Sequence, residues 1–125
     1  MKKILLIEDD PLLSRMYCKL FSMHDYDFAS DLDPEGGFEQ AKKLQPDLIL
    51  LDIMMPKLNG LQVLEMLKAD DATKDIPVVM ITNVEDHDTE KKAEAGGAIG
   101  YLVKSRYDPD ETIEYVEKVL KQAKS

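Results

Sequence analysis

Apolar runs and stretches with helical spacing alternate five times along the chain. Four short apolar runs predict buried β-strands, at residues 3–7, 47–52, 76–82 and 98–104, and residues 26–30 predict a weaker strand. Each is followed by a segment with helical periodicity, at residues 9–24, 33–44, 59–70, 85–97 and 108–124. Continuous apolar strands separated by helices are typical of a parallel sheet buried on both faces. The pattern therefore predicts an α/β fold, a doubly wound sheet of five parallel strands with five helices.

Residues that start helices mark several of these boundaries. Asp10 is followed by Pro11, which suits an N-cap and a first helical position. Asp108 and Glu111 have the spacing of a capping box before the last helix. The second helix is also entered through an Asp-Pro pair, but Gly36 and the glycine after it weaken its first turn. We expect helices to begin at these three points.

The predicted helices differ in how much apolar surface they can bury. The first has five residues near helical spacing, Leu12, Leu13, Met16, Leu20 and Met23. The last has a stripe of four, Ile113, Val116, Val119 and Leu120. The fourth helix has only alanines as apolar anchors and stops at two glycines, Gly96 and Gly97. We expect the fourth helix to be the most weakly held.

Composition and charge narrow the class of protein. The 125 residues suit one domain, and the net charge of −9 argues against nucleic-acid binding, which needs a basic face. The single cysteine, Cys18, excludes an internal disulfide and is expected to be a small buried thiol. No apolar run approaches the ~20 residues of a membrane span. These features predict a cytoplasmic protein that does not contact membranes.

Chemically active side chains gather at the predicted carboxyl ends of the strands. Strand 1 is followed by Glu8 and Asp9, strand 3 ends at Asp52, strand 4 at Thr82 and strand 5 at Lys104. In open parallel α/β sheets, ligands bind at this edge. The sequence therefore predicts that these five side chains share one site.

Three carboxylates on one edge repel each other unless a cation lies among them. Few, hard oxygen ligands suit Mg²⁺ better than a Ca²⁺ cage, and no pair of Cys or His offers a zinc site. Lys104 can place an ammonium group beside Asp52, and Thr82 adds a hydroxyl. A carboxylate nucleophile, a divalent ion, a cation and a hydroxyl are the groups that phosphoryl transfer to an aspartate requires.

Taken together, these motifs resemble the receiver domain of two-component response regulators. The resemblance rests on the acidic pair in LLIEDDP, on Asp52 in DIMMPKLNG, on Thr82 thirty residues later and on Lys104 in GYLVK. It covers essentially the whole chain. Each motif alone is weak, but all of them in order on five strand–helix rounds are specific. The resemblance implies the strand order 2-1-3-4-5, which chemotaxis receivers share.

The resemblance also implies a role for each residue of the site. Asp52 matches the phosphoryl acceptor, and Lys104 the lysine that contacts the phosphoryl group. The Mg²⁺ ligands would be Glu8, Asp9, Asp52 and the backbone carbonyl of Met54. Thr82 and Tyr101 match the pair that switches on phosphorylation, with Thr82 moving toward the phosphoryl oxygen and Tyr101 filling the space left.

Two positions depart from the usual pattern of that family, and two more affect the expected chemistry. Ser105 stands where a proline usually follows the lysine, so we expect a trans peptide and another path for the following loop. Asn83 replaces the usual small residue after the threonine and is expected to slow the entry of water or of a phosphoryl donor. Met54 and Val84 are both apolar, which predicts slow loss of phosphate.

The resemblance implies partners and a mode of output. A sensor histidine kinase or a phosphotransfer protein would supply the phosphoryl group, and the response would lie in helix 4, strand 5 and helix 5. That face also suits a weak dimer, although a monomer fits equally. Residues 1–125 are expected to form a receiver domain alone, with no output domain. It would catalyse only its own phosphorylation and dephosphorylation, and its downstream partner is a protein that the sequence does not name.

Other functions remain as alternatives. The chain is either a stand-alone receiver or the receiver fragment of a longer DNA-binding regulator. A pseudo-receiver that acts only as a scaffold is a third possibility, against which the complete set of acids, Thr82 and Lys104 argues. A haloacid-dehalogenase-type hydrolase would need an aspartate where Met54 stands. A flavodoxin-like cofactor binder would need a phosphate-binding loop in place of the EDDP that follows strand 1.

Overall fold

A computed structural model describes residues 1–83 and 85–123 of the chain. It contains strands and α-helices in strict alternation, followed through the chain as β1 Lys3–Ile7, α1 Pro11–Met23, β2 Asp27–Asp31, α2 Pro34–Leu44, β3 Leu48–Asp52, α3 Gly60–Ala69, β4 Val78–Thr82, α4 His87–Ala95, β5 Gly100–Val103 and α5 Pro109–Ala123. A short 3₁₀ helix, Lys104–Arg106, links β5 to the loop before α5. The predicted alternation of strands and helices is confirmed. The predicted end of the last helix at residue 124 lies outside the described residues.

All five strands are parallel, in the order β2-β1-β3-β4-β5. This confirms the predicted fold class and strand order. The order reverses direction between β1 and β3, so the carboxyl ends of these two strands form the crevice where ligands bind in such sheets. In register, Ile7 lies opposite Leu51, which places Glu8 beside Asp52 at the end of the two strands.

Alternate residues of the central strands point to two separate cores. Leu5 and Ile7 of β1 belong to the core under α2, α3 and α4, whereas Ile4 and Leu6 belong to the core under α1 and α5. Every residue of β3 and β4 is buried, which explains their unbroken apolar sequences. Burial of both sheet faces therefore fixes the positions of the strand ends that carry the site.

The buried face of α1 is only partly the one that the apolar spacing indicated. Leu13 and Leu20 pack against the core as partly buried side chains, but the fully buried residues of the helix are Ser14, Tyr17 and Phe21. Phe21 stacks on Phe28 of β2, with ring centroids 5.5 Å apart, and these larger rings fill the space beside the sheet. The side chains left on the outside include Leu12, Met16 and Met23, which are 61%, 56% and 71% exposed. Cys18 is exposed as well, so the prediction of a buried thiol is wrong.

The predicted helix starts are confirmed by their hydrogen bonds. The Asp10 carboxylate accepts a bond from the Leu12 amide at 3.0 Å. Asp108 and Glu111 form the reciprocal pair of a capping box, at 2.8 and 3.1 Å. In α2, Gly37 is required because a Cβ there would lie 2.7 Å from a side-chain carbon of Ile7. Gly37 therefore weakens this turn but lets α2 approach β1.

Helices α4 and α5 behave as their sequences predicted. Helix α4 buries only Ala93, whereas all four residues of the α5 stripe are buried. Strand β5 ends one residue before Lys104, and the Lys104–Ser105 peptide is trans, as expected. The following loop begins with the 3₁₀ helix. Within the described residues, no helix combines the length and the apolar character needed to cross a membrane.

Candidate functional site

Three carboxylates meet at the carboxyl edge of the sheet. Glu8 and Asp9 directly follow β1, and Asp52 is the last residue of β3. Glu8 and Asp52 are almost fully buried, at 1% and 3% exposure. One oxygen of each of the three side chains lies within 4.8 Å of the others. The structure thus brings together the acidic residues that the sequence placed at separate strand ends.

Lys104 provides the positive charge inside this cluster. Its ammonium group donates a hydrogen bond to Glu8 Oε2 at 2.6 Å and a weaker one to Asp52 Oδ1 at 3.4 Å. Its side chain is largely buried, since β5 delivers it along the sheet into the cluster. The lysine therefore reaches the carboxylate that the sequence identified as the acceptor, while it binds Glu8 more closely.

The cluster has more negative charge than one lysine can neutralise. Burial raises the pKa of Glu8, and Lys104 opposes that shift while the nearby Asp52 adds to it. Burial also raises the pKa of Asp9, with Glu8 contributing. Tyr17, below the cluster, has a pKa raised to about 12, mainly by burial and then by the charges of Glu8 and Asp52. Burial is the largest cause of all three shifts, and the negative charge of the neighbouring acids adds to each of them.

A small cavity of about 210 Å³ opens over the carboxylates. Its rim includes Leu13, Met54 and Asn83, and Lys104 lies in its wall. Met54 is 63% exposed, and Asn83 is exposed as well. Both residues therefore stand where an approaching donor or water would pass. Val84, predicted to act with Met54, lies outside the described residues.

The turn after Asp52 depends on a glycine. A Cβ at Gly60 would collide with the backbone carbonyl of Asp52 and would come within 2.7 Å of the Ile53 Cα. The Gly60 amide also donates to the Ile53 carbonyl at 2.8 Å. The Pro-Gly segment therefore folds tightly against the end of β3 and leaves the Asp52 side chain facing the cavity.

The two predicted switch residues lie on the neighbouring strands. Thr82 ends β4 and is buried, at 1% exposure. In the sheet, the β4 residue before it, Ile81, is paired with Asp52. Tyr101 lies on β5 opposite Met80 and is half-buried against the core under α4. Burial raises the pKa of Tyr101, and the nearby Asp86 and Glu90 add to the shift. Their switching role stays a prediction.

Sequence reasoning missed an apolar groove beside the site. The groove has a volume of about 380 Å³ and runs between α1 and the start of α5, lined by Leu13, Met16, Tyr17, Lys19, Leu20, Met23, Lys104, Tyr107, Pro109 and Thr112. Two of these residues, Leu13 and Lys104, also line the cavity over Asp52. The signal was present in α1, where the aromatic pair Tyr17 and Phe21 offers a second stripe that competes for the core.

This sheet topology, with an acidic edge and a lysine at the end of the last strand, defines a receiver-type α/β domain. The sequence pattern of the response regulator receiver domain matches residues 4–117. The chain therefore belongs to the response regulator receiver family.

Similarity to individual proteins supports the same family membership. The chain is 37% identical over 122 residues to the DNA-binding dual master transcriptional regulator RpaA of Synechocystis, covering 98% of this chain and 50% of that protein. It is 30% identical to the polar-differentiation response regulator DivK of Brucella anthropi, over 82% of this chain and 84% of that protein. The chain spans about half the length of the first curated relatives that it matches, RpaA and the phosphate regulon regulators PhoB.

Solved structures share the fold. Chemotaxis protein CheY4 of Vibrio cholerae superposes with a TM-score of 0.89 at 24% identity, covering 95% of this chain and 98% of the other. A CheY-like receiver domain from Methanospirillum hungatei gives a TM-score of 0.90 at 21% identity, covering 99% and 97%. At these identities the likeness supports the fold alone.

Proposed function

We propose that this domain accepts a phosphoryl group on Asp52 and passes the signal to a partner protein by a conformational change. The observation that carries the proposal is the buried Asp52 carboxylate, with Lys104 3.4 Å away and two further acids beside it. A carboxylate placed at a strand end, facing a cavity, has no evident structural purpose. As a nucleophile it has the neighbours that phosphoryl transfer needs.

The reaction is a transfer from a phosphohistidine of a kinase or phosphotransfer protein. An oxygen of Asp52 forms a bond to phosphorus, and the bond between phosphorus and the histidine nitrogen breaks. The electron pair stays on the imidazole, which takes up a proton, and Asp52 becomes an acyl phosphate. The Lys104 ammonium would leave Glu8 and stabilise the charge on the phosphoryl oxygens as the bond forms.

The donor set fits Mg²⁺. Carboxylate oxygens of Glu8, Asp9 and Asp52, together with the backbone carbonyl of Met54, would hold it, with room for water and a phosphoryl oxygen. A bound Mg²⁺ neutralises negative charge on the acids and on the transferring group. The short distances between the three carboxylates support this assignment, because a divalent cation among them would offset their mutual repulsion.

The groove along α1 supports a protein as the phosphoryl donor. Its residues Leu13 and Lys104 also line the cavity over Asp52, so a partner seated on α1 would lie at the entrance of the site. The charged residues in its lining are both lysines, although the chain has a net charge of −9. We infer that a donor helix with an apolar face and acidic neighbours binds there.

The signal would be passed on by the surface that α4, β5 and α5 form, away from the groove along α1. Helix α4 is anchored by one buried residue, Ala93, so a small shift at Thr82 and Tyr101 can reposition it. The face formed by α4, β5 and α5 would then bind either a separate protein or an output domain of the same regulator. The second form is suggested by relatives such as RpaA, whose name describes a DNA-binding regulator.

Intact-mass measurement tests the proposal. The chain is incubated with acetyl phosphate, with and without Mg²⁺, beside Asp52→Asn and a matched control, Asp47→Asn. We expect a gain of one phosphoryl group that needs Mg²⁺, is lost in the Asp52 variant and is retained in the control. No gain in the wild type would favour a scaffold that is not phosphorylated.

The phosphorylated form should be long-lived. Met54 covers the approach to Asp52 with an apolar side chain, so it cannot orient an attacking water by hydrogen bonding. We expect the phosphoryl group to persist for minutes or longer after the donor is removed. The decay of the phosphorylated mass with time measures it, and a lifetime of seconds would contradict the prediction.

A further inference from the structure

An ion pair joins the two loops that follow β4 and β5. Arg106 Nη2 lies 2.6 Å from Glu85 Oε1. Glu85 comes three residues after Thr82, and Arg106 comes two residues after Lys104. The contact therefore links the loop that carries the switch threonine to the loop that carries the site lysine. We call this contact the loop bridge.

Both ends of the loop bridge are held by neighbouring structure. On one side, Asp86 caps α4 by accepting bonds from the Asp88 amide at 3.2 Å and the Thr89 hydroxyl at 2.8 Å. On the other side, Arg106 ends the 3₁₀ helix that begins at Lys104. The bridge therefore connects a residue next to the N-cap of α4 with the 3₁₀ helix that begins at Lys104, a member of the charge cluster around Asp52.

In this arrangement Lys104 is shared between Glu8 and Asp52, at 2.6 and 3.4 Å. It is therefore the arrangement that suits Asp52 as a carboxylate, because Lys104 has to leave Glu8 to contact a phosphoryl group. An inward shift of Thr82 would draw Glu85 along the same short loop. Arg106, tied to the end of β5 by the 3₁₀ helix, would not follow equally, and the bridge would lengthen.

We infer that the loop bridge is a regulatory contact that favours the unphosphorylated arrangement of the two loops. This inference rests on the proposed function, since it assumes that Asp52 is the acceptor and that the loop after β4 responds. The bridge restrains α4 without adding apolar burial, which suits a helix anchored by Ala93 alone. It would add to the free energy that phosphorylation must supply to move the two loops into the second arrangement.

The expected effect is small. The two side chains are 62% and 61% exposed, and exposed ion pairs contribute little. Removing either one should raise the affinity for a phosphoryl mimic by about two- to fivefold. Because the two residues act through one contact, removing both should raise the affinity no further than removing one.

The test is a titration of the full chain with beryllofluoride in the presence of Mg²⁺, followed by calorimetry. The variants are Arg106→Gln, Glu85→Gln and the double change. Lys74→Gln is the control, since Lys74 forms a similarly exposed ion pair with Asp71, at 3.2 Å, far from the site. Each single variant and the double variant should bind about two- to fivefold more tightly, with the control unchanged. Unchanged or weaker binding, or additive effects, would overturn the inference.

A second measurement separates this inference from the proposed function. Amide hydrogen exchange without ligand should be faster at Glu85, Asp86 and Arg106 in both single variants than in the wild type. Exchange at these amides that does not change would overturn the bridge by itself. A wild type that binds no beryllofluoride and gains no phosphoryl group would instead overturn the proposed function, whatever the exchange shows.

Discussion

The two edges of the sheet differ in how their acidic residues are paired and buried. At the amino edge, two lysines each lie near one acid at the surface, with Lys2 3.9 Å from Asp47 and Lys3 3.9 Å from Asp27. At the carboxyl edge, three acids share one lysine, and two of the acids are buried. Paired surface charges contribute little to stability, whereas buried like charges oppose folding. The arrangement at the carboxyl edge is therefore not one that stability alone favours, which is consistent with the proposed function.

The larger of these two cavities does not lie at the edge that carries the candidate site. The cavity at the amino edge has a volume of about 450 Å³, and its lining includes Lys2, Asp47 and Asp71. The cavity over Asp52 has about 210 Å³. The acids that line the larger one are exposed, and Asp47 and Asp71 each lie near a lysine, Lys2 at 3.9 Å and Lys74 at 3.2 Å. Burial together with unbalanced charge, rather than volume, distinguishes the site in this molecule.

The strongest way to test this comparison is to remove one lysine from each edge. Lys104→Met should lower the rate of phosphorylation by acetyl phosphate by about 10²–10³-fold, because it removes the cation that faces the transferring group. Lys3→Met should leave the rate unchanged, since Lys3 pairs with exposed Asp27 at the opposite edge of the sheet. Phosphorylation is followed by intact mass at fixed Mg²⁺.

Circular dichroism of both lysine variants separates loss of function from loss of fold. Lys104→Arg, which keeps the charge, should recover part of the rate. Equal rates in Lys104→Met and in the wild type would show that the cluster does not act on the phosphoryl group.

A second test asks whether the functional edge extends onto α1. Met16→Glu places a charge in the apolar groove and should lower transfer from a phosphohistidine donor protein about tenfold or more. The rate with acetyl phosphate should stay the same, because Met16 does not line the cavity over Asp52. The matched control is Ile99→Glu, an equally exposed apolar residue just before β5. The donor is the histidine-containing protein that phosphorylates the wild type fastest in a panel. A loss with both donors, or with neither, would contradict a docking role for the groove.

Much of the fold was predictable because the central strands β1, β3 and β4 are apolar at nearly every position. The runs at β3 and β4 leave no alternative to burial on both faces, and the caps at Asp10 and Asp108 mark where helices begin. The family resemblance supplied the strand order. Local pattern failed for α1, where two apolar stripes compete. Phe21 packs against Phe28 of β2 and Tyr17 packs against Phe21, and these contacts favour the aromatic stripe.

The site was predictable for a different reason. Parallel strands deliver their ends to one edge, so residues far apart in sequence, such as Glu8 and Lys104, had to meet there. Their distances and burial were not predictable. The preference of Lys104 for Glu8 and the contact between Arg106 and Glu85 depend on loop paths, which alternation of apolar residues does not encode.

The smallest expected effect is on the free energy of unfolding. Burying Glu8, which the proposed function needs as a carboxylate, is expected to lower the stability of the fold. Burial raises the pKa of Glu8 in the folded chain, so folding favours its protonated form. The wild type therefore loses stability as the pH rises from below the pKa of the unfolded chain through the raised pKa of the fold. Glu8→Gln, which stays neutral, should be more stable than the wild type at pH 7 without Mg²⁺, by on the order of 1 kcal/mol. The difference should shrink toward pH 4.

Asp27→Asn, at the amino edge, should change stability little at either pH, because Asp27 is exposed. Urea unfolding in EDTA measures these differences. Added Mg²⁺ should then reverse the order at pH 7, since it stabilises only the chain that keeps its three carboxylates. A Glu8→Gln variant that is less stable than the wild type in EDTA would mean that its bond with Lys104 outweighs the cost of burial, and the contrast between the two edges would be lost.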